Sequence, residues 1–276
     1  MSGLKVKPMK NHFIISYPGN KREEVSRIYS WLKLDGIETI AEPFAGTSAL
    51  SYYISTLHPG RFKYRLNDVC SELCDLYRLM RDPEGLAEFQ RVVNNTLQSL
   101  SEMNERDSTL AKLTYKGIIT GKSDVPPLHA WYIAHKVYRQ HSGVFPTDYK
   151  YKPVDIVGCP IVRFMRSEAV EISCGDGVAF IREVANPAVL IFADPPYISQ
   201  CNAFYDNRMN LNFYEWLWNA SPIPSPLYMV LESHWILNIL LGQRHGEDSP
   251  RFRQVAEWDK VYQLKKHTLS HVMWAN

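Results

Sequence analysis

The chain has 276 residues, 45% hydrophobic and 22% charged, an ordinary globular composition with room for an α/β domain of about 150 to 200 residues and a smaller second one. No apolar run reaches the roughly 18 to 20 residues of a membrane span, and no apolar stretch after the basic MSGLKVKPMK makes a secretory signal, so a cytoplasmic, unsecreted protein is expected. A formal charge of +2 is too small by itself to announce a nucleic-acid binder.

In chain order, residues 38–44 read as a strand and 48–57 as a helix. Residues 62–67 read as a second strand, and 71–80 as a helix with Leu73, Leu76, Tyr77 and Met80 on one face. A stretch of different character follows at 83–162, with helical patterns at 86–100 and 128–141, and is predicted to form a separate lobe. Strand signals resume at 169–174, a helix follows at 178–184, and 188–193 reads as a buried strand. Strands at 226–231, 253–258 and 261–267 would complete the sheet. Strands alternating with helices in two blocks predict a mainly parallel sheet with crossover helices, built from 1–82 and 163–276 around an inserted lobe.

The near-neutral total hides an asymmetry. From Arg106 to Arg166 there are ten Lys or Arg against four Asp or Glu. A phosphate-tracking surface has this pattern, and so has a solvated lysine-rich one. The five cysteines are scattered, without Cys-x-x-Cys spacing, and indicate neither a disulfide framework nor a zinc site. His267 and His271 would share one face of a strand without further ligands, so no metal is expected there.

Three strand ends carry candidate chemistry. EPFAGTSAL, from Glu42 to Leu50, leaves a strand and opens a helix, the place where open α/β sheets bind ligands. Gly46 lets the backbone approach a ligand, and the helix start after Thr47 or Ser48 presents unpaired amides. The pattern is neither GxxxxGK[ST] nor GxGxxG, which weakens kinase and dehydrogenase readings. Asp68 ends the next strand, 22 positions beyond Gly46, where a carboxylate can accept both hydroxyls of a ribose; it can equally cap the following helix. Asp176, in CGDG, stands at a third strand end and can accept from an adenine amino group, with helix capping again the competing reading.

The segment ADPPY, from Ala193 to Tyr197, differs in kind. Pro195 and Pro196 remove two backbone donors and fix an extended turn whose carbonyls can accept from a ligand. Asp194 and the Pro195 carbonyl can together accept both hydrogens of an amino group, drawing its lone pair out of ring conjugation and towards a methyl donor. Tyr197 can stack on the base, and Phe204 or Tyr205 can close the pocket. In-line positioning supplies the rest of the rate, and neither a metal nor a covalent intermediate is needed.

These pieces, in this order, resemble the Dam-like DNA adenine methyltransferases, from Tyr17 to about Leu231. The resemblance implies a Rossmann-like class I fold, a mainly parallel seven-stranded sheet with helices on both faces and an inserted, mostly helical target-recognition lobe. It implies S-adenosylmethionine as cofactor, contacted by Tyr17, Gly19 and Lys21 of YPGNK and by Glu42, Pro43, Phe44, Ala45, Gly46, Thr47 and Ser48. Asp68 would be the ribose carboxylate, Asp176 the adenine contact, Asp194 a further cofactor contact, and Asp194, Pro195, Pro196 and Tyr197 the catalytic motif. Residues 130–145 are similar to the stretch before the family's recognition loop. The implied partner is double-stranded DNA, with the target adenine flipped out of the duplex and a monomer sufficient. Lys112, Lys116, Lys122, Lys136, Arg139, Lys150 and Lys152 would contact phosphates. The sequence departs from the family where Gly46 is followed by Thr47 and Ser48 without a second glycine, at Pro18 and Asn20, and in a recognition segment at 146–160 poorer in basic and glycine residues. Cytosine-amino transfer, adenine in RNA and a non-catalytic nucleic-acid-binding subunit are the alternatives left open.

Overall fold

The structure is a computed structural model that describes residues 12–15, 21–137, 145–197, 212–219, 223–233, 241, 252–262 and 267–276. The chain divides into two compact units, one formed by 1–8, 21–69 and 169–276, the other by 9–20 and 70–168.

The first unit is a seven-stranded sheet: β1 (Thr39–Glu42), β2 (Lys63–Asp68), β3 (Val170–Cys174), β4 (Val189–Ala193), β5 (Leu227–Glu232), β6 (Arg253–Tyr262) and β7 (His267–Ala275), in the order β3-β2-β1-β4-β5-β7-β6. The strands from β1 to β5 pair in parallel, and β7 is antiparallel to both β5 and β6. This is a Rossmann-like α/β arrangement, a mainly parallel open sheet closed on one side by an antiparallel pair. Its helices are α1 (Val25–Tyr29), α2 (Ala49–Leu57), α8 (Gly177–Val184) and α9 (Asn212–Asn219). Ala41, Ile191, Ala193, Leu227, Met229 and Leu231 form one core with Val178, Ile181 and Val184 of α8 and Phe213, Trp216 and Leu217 of α9. Their neighbours Ile40, Leu190, Phe192, Tyr228 and Val230 are buried too, so both faces of the sheet are covered, as its apolar parallel strands require.

The antiparallel hairpin departs from the sequence expectation. Residues 253–258 and 261–267 are not two strands: β6 runs unbroken to Tyr262, with a register shift between Gln254 and Ala256, and the last strand begins at His267. The polar pair Asp259 and Lys260 reads as a break, yet it continues a hairpin edge. The run from Val272 to Ala275 is buried because β7 lies inside the sheet between β5 and β6.

The second unit contains α3 (Ser71–Leu79), α4 (Pro83–Arg106), α5 (Ser108–Ile119), α6 (Pro127–Val137) and α7 (Pro160–Met165). Its longer segment, 70–168, includes α3, which packs on α4 and α6. Leu86, Phe89, Val93, Leu97 and Leu100 give α4 one apolar stripe. Asp82 caps that helix, accepting from the Glu84 and Gly85 amides, and Pro83 fills its first turn, where no donor is needed. Asp107 both ends α4 and caps α5 through the Thr109 and Leu110 amides. Among the described residues no helix is long and apolar enough to cross a membrane.

Candidate active site

The strand order reverses between the neighbours β1 and β4: from β1 the chain continues to β2 on one side, and from β4 to β5 on the other. Loops leaving the carboxyl ends of strands at such a switch point form a ligand crevice. The loop after β1 is built tightly. Ala45 donates its amide to the Asn67 carbonyl at 2.8 Å, and Ser48 donates to the Ala45 carbonyl at 2.6 Å. Gly46 and Ser48 have φ of +47° and +53°, the first free for glycine, the second strained for a residue with a Cβ. Ser48 precedes α2 without capping it; the acceptor comes instead from Glu42, whose Oε1 takes the Ser51 amide at 2.8 Å. Burial pushes the Glu42 carboxyl up to about 7, the Ser51 hydrogen bonds opposing this and the Asp194 charge adding to it. Phe44 lies so close over Gly177 that a Cβ there would meet its ring at 2.5 Å, and it packs edge-on against Phe213.

Asp68 does not cap α3, whose cap position is Cys70. Its carboxylate crosses to the β1 loop and accepts the Gly46 amide at 2.9 Å. Asp176 is a helix cap, accepting the Ala179 amide at the start of α8. Asn67 ties the loops together and escaped the sequence reading. Its Nδ2 donates to the carbonyls of Pro43 and Gly175, and its Oδ1 accepts from the Ser173 hydroxyl. Nothing in its surroundings in the chain distinguishes it from an ordinary strand-end polar residue.

After β4, Asp194 Oδ2 meets Lys21 Nζ at 2.6 Å, the two side chains only 18% and 4% exposed. The Tyr197 hydroxyl donates to Asp194 Oδ1 at 3.3 Å, and the ammonium of Lys21 stands 5.1 Å from the Tyr197 ring centre. Burial raises the Asp194 carboxyl above its ordinary range, against the lowering pull of the Lys21 charge and hydrogen bond. The Pro196 carbonyl accepts from the Tyr214 hydroxyl at 2.9 Å, which anchors the proline turn to α9. Lys21, expected beside the cofactor, is thus an Asp194 partner. Tyr17, Gly19, Phe204 and Tyr205 lie outside the described residues.

The basic residues expected at DNA phosphates belong to the second unit. Lys112 and Lys116 are on α5 and Lys136 is on α6. Lys122 follows α5, and Lys150 and Lys152 stand in an irregular segment; all but the half-buried Lys112 are exposed. Arg139 lies outside the described residues.

Residues 17–113 match the model of the D12 class N6 adenine-specific DNA methyltransferase family. The matched span takes in the β1 loop and Asp68 and ends short of Asp194. Among solved structures, the chain is similar to PH1948 of Pyrococcus horikoshii, described as a candidate RNA methyltransferase, at 13% identity over 98% of this chain and 91% of that one, with a TM-score of 0.42. A precorrin-6y C5,15-methyltransferase from Geobacter metallireducens GS-15 is similar at 10% identity over 96% and 92%, with a TM-score of 0.37. Among curated proteins none matches the sequence. The family match supports methyltransferase activity with S-adenosylmethionine as the methyl donor.

Proposed function

We propose that the protein methylates the exocyclic amino group, N6, of an adenine flipped out of duplex DNA. The observation that carries this reading is the Asp194–Pro195–Pro196–Tyr197 turn at the switch point, its half-buried carboxylate held by Lys21 and Tyr197. Two strand-end carboxylates suit the cofactor as acceptors. Asp68, fixed on the Gly46 amide, is an acceptor for ribose hydroxyls, and Asp176 is an acceptor at the next strand end. Val69, 74% exposed beside Asp68, offers an apolar surface to a flat ring. S-adenosylmethionine supplies an electrophilic sulfonium methyl. Asp194 and the Pro195 carbonyl accept the two amino hydrogens, so the nitrogen lone pair points at the methyl carbon. As the C–N bond forms and the C–S bond breaks, the nitrogen gives up one proton towards the Asp194 side of the pocket. Lys21 keeps the carboxylate from turning away. Tyr197 is only 4% exposed, so a base that stacks on it displaces side chains now covering the ring. The basic residues of the second unit would grip phosphates without reading sequence.

Purified protein is expected to move labelled methyl from S-adenosylmethionine to unmethylated duplex DNA. Asp194→Ala should abolish transfer with the circular dichroism spectrum kept. Because that change removes the carboxylate facing the buried Lys21 ammonium, Asp194→Asn is the companion variant and should also be inactive. Transfer to RNA alone, to cytosine, or to nothing would overturn the proposal.

A further inference from the structure

One turn of chain serves both ends of the candidate catalytic motif. The Lys21 carbonyl accepts the amides of Glu24 and Val25 at 2.8 and 2.9 Å, so the side chains of Lys21 and Glu24 leave a single closed turn. Lys21 goes to Asp194. Glu24 is buried, and its Oε1 accepts from Trp258 Nε1 of β6 at 2.8 Å and from His271 Nδ1 of β7 at 2.5 Å. The His271 ring, 0% exposed, meets Tyr197 with centres 5.4 Å apart at 63° and Trp258 with centres 5.9 Å apart at 85°. Its Nε2 is buried with no hydrogen-bond partner among the described residues. Among the described residues the bond to Glu24 is thus the hydrogen bond that sets the ring's rotation, and Tyr197 rests against that ring.

We infer that Glu24 and His271 are positioning residues of the methyl-transfer site: Glu24 orients His271, and His271 holds the Tyr197 ring, and through its hydroxyl the Asp194 carboxylate, in the attack geometry. Neither touches a substrate. A buried carboxylate is expensive to desolvate, and an apolar filler would pack the same space; what the carboxylate adds is direction, because it fixes two donors from two strands at one point. The inference rests on the proposed function in taking this turn as the place where the amine is attacked.

The test is steady-state methyl transfer to unmethylated duplex DNA by Glu24→Ala, Glu24→Gln and His271→Phe. Loss of positioning predicts a fall in kcat of about ten- to a hundred-fold for Glu24→Ala and His271→Phe. The KM for S-adenosylmethionine should stay within about two-fold of wild type. Glu24→Gln keeps an oxygen that accepts from both donors and should restore most of the rate. Wild-type kcat in His271→Phe, or a Glu24→Gln variant as slow as Glu24→Ala, overturns the inference. Should Glu24→Ala fail to fold, His271→Phe, which keeps a ring in the same volume, decides. If the wild type itself transfers nothing to DNA, the functional reading fails, and a substrate-free measurement settles the positioning role. 3-Fluorotyrosine placed at Tyr197 should give a fluorine line that shifts or splits in His271→Phe and stays put in Glu24→Gln; an unchanged line in His271→Phe overturns the role.

Discussion

Ser48 adopts a left-handed backbone at φ +53° and buries a hydroxyl that has no hydrogen-bond partner among the described residues. The family resemblance places a second glycine in this loop, and the strain shows what that glycine does. A side chain in this region costs roughly 1–2 kcal/mol. Glycine's greater freedom when unfolded offsets about 0.5–1 kcal/mol of that. Ser48→Gly should therefore raise the unfolding free energy by about 1 kcal/mol, read from urea curves; a lower midpoint would show that the hydroxyl has a use the strain argument misses. Glu42 allows a sharper forecast. Its carboxyl moves from an ordinary 4.5 to about 7 on folding, so between those values the folded protein keeps a proton that the unfolded chain has released. Stability should then be full at low pH, fall as pH rises through this window and level off above it, by on the order of 3 kcal/mol. Asp194, also raised, contributes in the same direction. Glu42→Gln, whose amide oxygen still accepts from Ser51, should shrink the fall between pH 5 and pH 8; an equal fall in the variant would place the proton elsewhere. The strand-end positions of Asp68 and Asp194 were legible because short apolar runs lead into them. Asn67, Glu24 and His271 were not, since each has a partner 100 or more positions away.

At the scale of elements, α4 carries a polar row beside its apolar stripe. Gln90 Oε1 accepts the amides of Ile156 and Val157. Asn94 both donates to the Val154 carbonyl and accepts its amide, Ser101 accepts the Tyr151 amide, and Asn104 donates to the Thr147 carbonyl. An irregular strand of chain from Thr147 to Val157 is thus strapped along one helix by side chains standing in for a neighbouring strand. The family resemblance marks 146–160 as a recognition segment, and its strapping is not visible in its own pattern because it is lodged in polar residues of a helix 43 to 67 positions earlier. Asn94→Ala removes both bonds to Val154, each worth about 1 kcal/mol. Amide exchange at Val154 and Ile156 should accelerate by roughly ten-fold or more, while the amides of β1 keep their protection. Unchanged exchange at Val154 would mean that the neighbouring straps suffice. The helix α5 was missed for a different reason: Ala111 occupies its core face and Leu110 and Leu113 are exposed, which blurs the 3.6-residue period.

At the scale of the whole molecule, two blocks of alternating strand and helix were enough to read a parallel sheet, because strands buried on both faces leave unmixed apolar runs. The antiparallel end of the sheet was less legible, since β7 enters between β5 and β6 and its place depends on pairing partners rather than on its own pattern. Charge is distributed just as unevenly. The excess of Lys and Arg between residues 106 and 166 falls within the second unit, where the acidic stretch from 70 to 105, with seven Asp or Glu against three Arg, offsets much of it, so any attraction of a polyanion is local to the later stretch. If the exposed Lys116, Lys150 and Lys152 grip phosphates, affinity for unmethylated duplex DNA should fall linearly on a logarithmic scale of salt. Replacing all three by alanine should flatten the slope by about one for each phosphate no longer neutralised. The affinity for S-adenosylmethionine, measured by calorimetry without DNA, should be unchanged. A slope that survives the triple substitution would make these lysines a solvated surface and move DNA binding to other residues, whereas a weakened cofactor affinity would show that the changes had disturbed more than charge.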